Sequence, residues 1–405
     1  MTMGSGKNGK LRVLYLAKTS VGGPWAVRQT RDHVRLGVEA HIAVPAGGPR
    51  VAEYEEAGVT VHAMETDFPI LKPWLAPARF KQLRALVEEL QPDIIHSYYV
   101  GTTLTARLAL GTKHPIPRVF QVPGPLHLEH AFFRRAEIAT AGPRDYWIGT
   151  CHSIRAIYRQ SGIADARLFV SDYGVDLEDH ISHPKGKIRS ECGIADDVPL
   201  VGMVGIMYAP KRYLLQRRGL KGHEDLIDAL SIVLKERPEV MGVFVGGGWD
   251  GADAYEARVR SYAKEQCGDR AVFLGMRADV PELLPDFDIA VQPSHTEGVA
   301  GTAVEAQLLG IPVIATNVGG QPDLIVDGET GWLVPPKDPP AMAAAILDAL
   351  NNPARTRAMA ARGHDRAEAL FNGKKNNADV VAMYAHILIH AGRASGVPSL
   401  RPTAA

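Results

Sequence analysis

Cysteine is scarce in this sequence, which limits the cellular compartments and the types of protein scaffold that are compatible with it. The 405 residues contain three cysteines, Cys151, Cys192 and Cys267, which lie far apart and form no Cys-x-x-Cys motif. Disulfide-stapled secreted domains are rich in paired cysteines, and structural zinc sites need ligands at short spacing. We therefore expect reduced thiols in a cytosolic protein.

Excess charge and long apolar runs are also missing. The 45 basic and 45 acidic residues cancel, which argues against a nucleic-acid partner recruited by overall charge. No apolar run approaches the roughly 20 residues of a transmembrane helix. Residues 1–10 have no apolar segment of the kind that a secretory signal peptide needs. These features predict a cytoplasmic protein and leave peripheral contact with the inner membrane face open.

Two common catalytic motifs are absent. No predicted strand is followed by Gly-x-Gly-x-x-Gly with a distant acid, and there is no Gly-x-Ser-x-Gly elbow. Their absence argues against a dinucleotide dehydrogenase and a serine hydrolase. The glycine-rich segment Gly246–Gly251 has the general form of a phosphate loop but matches neither the dinucleotide nor the Walker A pattern. We expect it to shape a turn beside a ligand.

What the sequence does contain is a repeated alternation of short apolar segments with helical segments. This alternation predicts an α/β fold with parallel sheets, and the length predicts two domains. Residues 176–187 are polar and aperiodic, which favours a linker. The predicted parts are an N-terminal Rossmann-like lobe at 11–180, a C-terminal Rossmann-like lobe at 188–372, a C-terminal helix at 373–393, and flexible tails at 1–10 and 394–405.

The most informative stretch is residues 293–312. A turn carrying Glu297 leads into a short helix that begins near 299–301, carries Glu305 one turn later and stops at Gly310. A helix N-terminus suits a phosphate. Acids on either side suit the hydroxyls of a ligand that has a sugar at one end and a ribose at the other.

A basic segment at 211–221 precedes the next predicted helix and contains no acid. Positive charge at the carboxyl end of a strand can neutralise a diphosphate without a metal. We favour this role for Lys221, at the helix start. A solvated loop or a surface for anionic lipid is an equal alternative for the other four basic residues, Lys211, Arg212, Arg217 and Arg218.

No metal site is expected. Asp286 and Asp288 resemble an Asp-x-Asp motif but lie at the start of a predicted strand, away from the ligand edge. His127 and His130 have no third ligand at suitable spacing. His127 follows a predicted strand of the first lobe, where a histidine can bind a sugar hydroxyl or carry a proton. His96 also ends a strand, and there a core role is at least as well supported.

The segment from Glu297 to Glu305 matches the Glu-x7-Glu signature of the family 4 retaining glycosyltransferases. Residues 306–320 and 327–336 resemble the next two blocks of that family. In the first lobe the resemblance is looser and rests on the Gly22-Gly23 loop, the strand ending in His96, and the segment Tyr173–Asp176.

The resemblance implies a GT-B fold, in which two Rossmann-like lobes face a cleft and a C-terminal helix crosses back to the first lobe. It implies retaining transfer of a sugar from a UDP- or GDP-linked donor to a saccharide, lipid-linked or small-molecule hydroxyl, with no cofactor and no metal. A sugar-nucleotide 2-epimerase and a non-catalytic nucleotide-sugar binder are the alternatives.

The resemblance also implies roles for individual residues. Glu297 would contact the transferred sugar and Glu305 the ribose, while backbone N–H groups at 300–302 would hold the diphosphate. Lys221 would stabilise the departing diphosphate. The expected catalytic residues are His127, Lys221 and Glu297, and the expected donor-binding residues are Gly22, Gly23, Lys211, Arg212, Lys221, Glu297, Gly298, Ala300, Gly301, Thr302 and Glu305.

The chain departs from the family pattern at three positions. Ile206 stands where the family has an arginine, and either Lys211 or Arg212 would then supply the missing charge. Ala300 replaces a glycine of the signature. His127 lies a few residues beyond the position where the family often has a catalytic histidine.

Overall fold

The computed structural model describes residues 10–177, 183–210, 216–249 and 251–393. They fall into two compact units. Unit 1 takes the chain up to Val175 and again from Asn372, and unit 2 takes Asp176–Phe371. Each unit has a hydrophobic core of its own, so the two are described separately.

Unit 1 is built on a parallel sheet of seven strands in the order β3-β2-β1-β4-β5-β6-β7. The strands other than the two edge strands are buried along most of their length, because helices cover both faces of the sheet. Strand order reverses between β1 and β4, as in Rossmann-like sheets. The strands are β1 Arg12–Leu16, β2 Glu39–Val44, β3 Thr60–Ala63, β4 Ile94–Ser97, β5 Arg118–Val122, β6 Asp145–Gly149 and β7 Leu168–Val170.

The helices of unit 1 fill the connections between its strands, and the last helix of the chain joins them. They are α1 Pro24–Arg35, α2 Arg50–Glu56, α3 Ala76–Leu90, α4 Val100–Leu110, α5 Leu126–Glu129, α6 Ala131–Ala139, α7 His152–Gln160 and, at the end of the chain, α16 Gly373–His390.

The C-terminal helix α16 packs on unit 1, which confirms that it crosses back to the first lobe. The Asn377 side chain donates to Asp32 of α1 at 2.8 Å, and the Asn377 carbonyl lies 3.1 Å from Nε2 of His33. Deeper in the core, Nδ1 of His96 lies 2.5 Å from the Tyr384 hydroxyl. Burial lowers the pKa of His96 well below its ordinary value. His96 is therefore a neutral core residue.

Unit 2 is a second parallel sheet, of six strands in the order β10-β9-β8-β11-β12-β13. Its order repeats the Rossmann-like pattern of unit 1. The last strand is not among the strands expected from the sequence. The strands are β8 Leu200–Val204, β9 Met241–Val245, β10 Ala271–Gly275, β11 Ile289–Gln292, β12 Val313–Thr316 and β13 Trp332–Val334.

The helices of unit 2 again alternate with its strands. Within the ranges that the structure describes, no helix combines the length and hydropathy needed to span a membrane. The helices are α8 Lys187–Cys192, α9 His223–Glu236, α10 Asp253–Cys267, α11 Val280–Leu283, α12 Gly301–Leu308, α13 Gln321–Leu324, α14 Pro339–Asn351 and α15 Pro353–Leu370.

Asp286 and Asp288 hold the backbone at the amino edge of the unit 2 sheet. The Asp286 carboxylate accepts from the backbone N–H groups of Gly186 and Ile188. Asp288 accepts from the backbone N–H of Leu200 at 2.8 Å. These carboxylates fasten the entry into β8 and lie at the edge opposite the carboxyl ends of the strands.

Candidate functional site

A pocket of about 480 Å³ lies at the carboxyl edge of the unit 2 sheet. Ligands of parallel α/β sheets bind at this edge. A larger concavity, of about 960 Å³, lies at the amino edge and contains none of the predicted donor-binding residues. The smaller pocket is lined by six of those residues, Lys221, Glu297, Ala300, Gly301, Thr302 and Glu305.

Glu297 is the most heavily contacted acid of the pocket. One of its carboxylate oxygens pairs with the ammonium of Lys221. The same oxygen accepts from the Ser294 hydroxyl at 2.9 Å and from the side-chain amide of Gln292 at 3.3 Å. A charged acceptor held by three donors has a fixed orientation, so Glu297 is already aimed before any ligand contact.

Gln292 joins this acid to the start of α12. Its amide nitrogen donates to the Ser294 hydroxyl at 2.8 Å, and its carbonyl oxygen accepts from the Thr302 hydroxyl at 2.9 Å. Gln292 and Ser294 are buried. The sequence prediction missed both residues. The available signal was the amide at the end of an otherwise apolar strand.

The N-terminus of α12 opens into the pocket. Ala300 caps the helix in extended conformation, and the first turn contains no acid. No carboxylate in the first turn of α12 therefore offsets the N–H groups and the positive end of the helix dipole. Glu305 lines the same pocket one turn further along. The two predicted acids thus flank a helix start suited to an anion.

Glycines at Gly319 and Gly320 brace the turn that carries Glu297. The Gly320 N–H donates to the carbonyl of Gly298 at 2.6 Å. Gly319 has φ 55°, and a Cβ there would lie 1.8 Å from the Glu297 carbonyl oxygen. Only glycine allows this close approach. Gly298, a predicted donor-binding residue, is thus buried behind the pocket wall rather than lining it.

Lys221 is set beside the same turn by its glycine neighbour. Gly222 caps α9 with φ 73°, and a Cβ there would lie 1.9 Å from the carbonyl oxygen of Pro293. The backbone N–H of His295 donates to Leu220 at 2.8 Å. These two contacts hold the segment before α9 against the segment after β11. Lys221 and Glu297 lie on these two segments and are therefore close enough to pair.

The basic segment divides into residues with different partners. Arg218 pairs with Asp225 and Asp228 of α9, and these acids raise its pKa. The Arg218 guanidinium therefore pairs with acids of α9 and does not line the pocket. The predicted donor-binding residues Lys211 and Arg212 lie outside the described residues.

Arg277 is a pocket cation that the sequence prediction missed. It follows β10 and lines the pocket together with Ile206. Its guanidinium pairs with Glu191 at 2.7 Å and with Asp279 at 2.6 Å. These acids neutralise much of its charge and fix its position at the pocket rim.

The remaining predicted site residues belong to unit 1 and follow strands β1 and β5. Gly23 caps α1 with φ 73°, and a Cβ there would lie 3.3 Å from the Tyr99 hydroxyl. Gly22 precedes it in the same loop. Nε2 of His127 lies 3.3 Å from the Tyr158 hydroxyl, and burial lowers the pKa of His127. The histidine is thus neutral near pH 7 and already has a hydrogen-bond partner.

Two family models match the chain. The model described as "Glycosyltransferase Family 4" matches residues 26–179, and "Glycosyl transferases group 1" matches residues 212–352. The D-inositol 3-phosphate glycosyltransferase of Geodermatophilus obscurus is 30% identical over 405 residues, covering 89% of this chain and 83% of the relative. The chain belongs to the family 4 glycosyltransferases.

Other relatives of this glycosyltransferase match over shorter segments. The lipopolysaccharide core biosynthesis mannosyltransferase LpsB of Rhizobium meliloti is 30% identical over 175 residues, which is 42% of this chain and 50% of that protein. The chain thus spans about half the length of several curated relatives that it matches.

Solved structures confirm the GT-B fold. Anabaena HepE, solved in complex with UDP, has a TM-score of 0.77 and 22% identity and covers 93% of this chain and 99% of its own. Sucrose-phosphate synthase of Thermosynechococcus elongatus has a TM-score of 0.75 and 20% identity, covering 94% of this chain and 100% of its own.

Proposed function

We propose that this glycosyltransferase moves a sugar from a nucleoside-diphosphate sugar to a hydroxyl group, with retention of configuration. The observation that carries the proposal is the grouping of Lys221, Glu297 and Glu305 around the N-terminus of α12 in one pocket. A volume of about 480 Å³ lies within the range of small-molecule sites.

The pocket offers a partner for each part of such a donor. The diphosphate would accept from the backbone N–H groups of Gly301 and Thr302 and pair with Lys221. Glu305 would accept from the ribose hydroxyls, and Glu297 from hydroxyls of the transferred sugar. Arg277 would bind near the base or the ribose at the rim.

The main requirement of this reaction is that the enzyme stabilise the negative charge that forms on the leaving group. The bond between the anomeric carbon and the phosphate oxygen breaks, and its electron pair adds negative charge to the nucleoside diphosphate. Lys221 and the N-terminus of α12 stabilise that charge where it forms. The acceptor hydroxyl attacks the same face of the sugar, and its proton passes to the departing phosphate oxygen. We assign His127 the task of contacting the sugar or the acceptor.

The proposal includes no metal and no cofactor. Lys221 and the α12 N-terminus supply positive charge of the kind that a divalent cation would otherwise provide. Asp286 and Asp288 are engaged with backbone N–H groups at the opposite edge of the sheet. Turnover in the presence of EDTA tests this part, and we expect it to be unchanged.

For the base of the donor and for the acceptor, we propose chemical classes rather than single compounds. A Corynebacterium glutamicum relative, 30% identical over 46% of this chain, is a GDP-mannose-dependent mannosyltransferase acting on an acylated phosphatidylinositol monomannoside. We propose a UDP- or GDP-sugar donor and a saccharide, lipid-linked or small-molecule acceptor. A lipid-linked acceptor would bring the enzyme to the cytoplasmic face of the inner membrane.

A donor screen tests the proposal. UDP-glucose, GDP-mannose and related donors are incubated with and without candidate acceptors, and free nucleoside diphosphate is measured. We expect release that depends on the acceptor and is lost in Lys221→Ala and Glu297→Ala. Unchanged transfer by both variants would overturn the site. An epimerised donor without acceptor would instead identify a 2-epimerase, and donor binding without turnover would identify a non-catalytic binder.

A further inference from the structure

Four charged side chains of unit 1 form a buried cluster close to His127. Arg107 pairs with Glu137 at 2.5 Å and with Asp145 at 3.1 Å. Arg118 pairs with Asp145 at 2.7 Å. Each of the four side chains is at most 4% exposed. Because burying ion pairs costs solvation, such a cluster is weak evidence for stability, and a functional role for its fixed charges is the alternative.

The two carboxylate oxygens of Glu137 differ in their contacts. Oε1 accepts from the Arg107 guanidinium and, at 3.1 Å, from the indole N–H of Trp147. Oε2 is buried and, among the residues that the structure describes, has no hydrogen-bond partner. A buried acceptor without a donor is costly, and more so when it is charged. A donor close to Oε2 is therefore expected to point at it.

The hydroxyl of Tyr158, on α7, is that donor. Tyr158 is fully buried, and its ring lies against Trp147 with centroids 5.4 Å apart. Burial, and next the charge of Glu137, raise the pKa of Tyr158 well above its ordinary value, so the hydroxyl keeps its proton at neutral pH. The same hydroxyl oxygen lies 3.3 Å from Nε2 of His127. Tyr158 is thus a neighbour of both the carboxylate and the histidine.

The single hydroxyl proton of Tyr158 can serve only one of these two neighbours. If Tyr158 donated to Nε2 of His127, that ring would carry its own proton on Nδ1, and the buried Oε2 of Glu137 would keep no donor. If Tyr158 donates to Glu137, the hydroxyl oxygen accepts from Nε2–H of His127. The second arrangement leaves no buried charged oxygen unpaired, so it is the favoured one.

The second ring nitrogen of His127 is left for a ligand. His127 follows β5, at the carboxyl edge of the unit 1 sheet, and the residue is only half-buried. Ligands of parallel α/β sheets bind at this edge. Among the described residues, Tyr158 is the only hydrogen-bond partner of the ring, through Nε2. With the proton on Nε2, Nδ1 has a lone pair that can accept a hydrogen bond.

We propose that Tyr158 and Glu137 are positioning residues for His127. Glu137 orients the Tyr158 hydroxyl, and this hydroxyl holds His127 with its proton on Nε2 and with Nδ1 open. His127 then accepts a hydrogen bond from a hydroxyl group of the sugar or the acceptor, and its neutral form does not donate a proton from Nδ1. This inference deepens the proposed function and rests on it for the identity of that hydroxyl group.

The position of the His127 proton is measured by ¹⁵N NMR of the full chain, labelled at histidine and kept near neutral pH. A protonated and a bare ring nitrogen have well-separated resonances, and the spectrum of His127→Gln identifies the His127 signals. We expect a protonated Nε2 and a bare Nδ1 in the wild type.

Glu137→Gln should move this proton to Nδ1. The carbonyl oxygen of the new amide replaces Oε1 as the acceptor for Arg107 and Trp147. The amide nitrogen then takes the place of Oε2 and donates to the Tyr158 oxygen, so the hydroxyl has to donate to Nε2 of His127. A purely structural role of Glu137 would not reverse the tautomer.

Tyr158→Phe tests the same contacts through activity and keeps all four buried charges. With the donor and acceptor found in the screen, kcat/KM should fall about tenfold, mainly through kcat, because His127 is then no longer oriented for the reacting complex. The matched control is Tyr146→Phe. It removes another hydrogen bond between a buried tyrosine and a histidine, 2.8 Å long to Nδ1 of His390. The control should lower the melting temperature by a similar amount with unchanged kcat/KM.

The proposal is overturned if wild-type His127 carries its proton on Nδ1, or if Glu137→Gln folds and keeps the wild-type tautomer. It is also overturned if Tyr158→Phe keeps wild-type kcat/KM or loses no more than the control. If Glu137→Gln does not fold, the wild-type tautomer and Tyr158→Phe decide. The proposed function fails separately: a wild type that turns over no donor with any acceptor would count against it and leave the tautomer result valid.

Discussion

Replacing Gln292 with leucine should disable the pocket while leaving unit 2 folded. The side-chain amide of Gln292 donates to Ser294 at 2.8 Å and to Glu297 at 3.3 Å, and it accepts from Thr302 at 2.9 Å. Leucine has a similar volume and suits a buried strand end, but it makes none of these bonds. The variant therefore separates the hydrogen bonds of this position from its packing.

The expected magnitude follows from those bonds. A hydrogen bond between neutral groups contributes about 1 kcal/mol, and one to a charged group about 1.5–3 kcal/mol. The contact to Glu297 is long, so its contribution belongs at the lower end. A loss of about 2.7 kcal/mol of transition-state stabilisation corresponds to a fall of about 100-fold in kcat/KM. The melting temperature should fall by only a few degrees.

Gln307 provides the matched control. Gln307 is buried on α12, and its amide donates to the Thr330 carbonyl at 2.8 Å, away from the pocket lining. Gln307→Leu should lower the melting temperature by a similar amount with unchanged kcat/KM. The assay is release of nucleoside diphosphate from the donor identified in the screen, with thermal unfolding measured on the same preparations.

A double-mutant cycle sharpens the test. Ser294→Ala removes a second donor to the same oxygen of Glu297. Because Gln292 also donates to Ser294, the two substitutions should be non-additive in kcat/KM. The reasoning fails if Gln292→Leu retains wild-type kcat/KM, or if Gln307→Leu loses as much activity as Gln292→Leu.

Three further outcomes follow from the geometry. Lys221→Met should lower kcat/KM about 10²- to 10³-fold in the same assay, whereas Arg218→Met, on the same segment, should lower thermal stability and spare turnover. Gly319→Ala should weaken UDP or GDP binding at least about tenfold in calorimetry, because a Cβ would clash with the Glu297 carbonyl, whereas Gly328→Ala, also at a positive φ, has open space. Burial lowers the pKa of His223 to about 4; since the unfolded chain takes up the proton first, stability should be lost as pH falls from about 6.5 to 4, and this slope should flatten in His223→Gln.

The sequence predicted both sheets because the physics of their strands is local. A parallel strand covered on both faces is apolar along most of its length, and short apolar segments predicted twelve of the described strands, β1 to β12. The strand Trp332–Val334 was not predicted, and it is recognised in the structure by its pairing with β12.

The site was predictable where function imposes spacing along the chain. Glu297 and Glu305 are eight residues apart on one turn and one helix, so a linear motif captures them. Arg277 reaches the pocket from a different connection, and its pairing with Glu191 joins residues 86 apart. Gln292 acts through hydrogen bonds to three side chains, those of Ser294, Glu297 and Thr302. Neither type of relation leaves a periodic trace in one sequence.

The pairing of Lys221 with Glu297 bears on how the site would work. In the proposed donor complex, a bound diphosphate would compete with Glu297 for the Lys221 ammonium, because both are anions. If the lysine turned to the phosphate, Glu297 would lose that partner and gain acceptor capacity for sugar hydroxyls. Ser294 and Gln292 still donate to the carboxylate and keep it aimed. Donor binding and alignment of the sugar would then be one event, and Gln292, a buried amide that lines the pocket, would contribute by holding Glu297 in place.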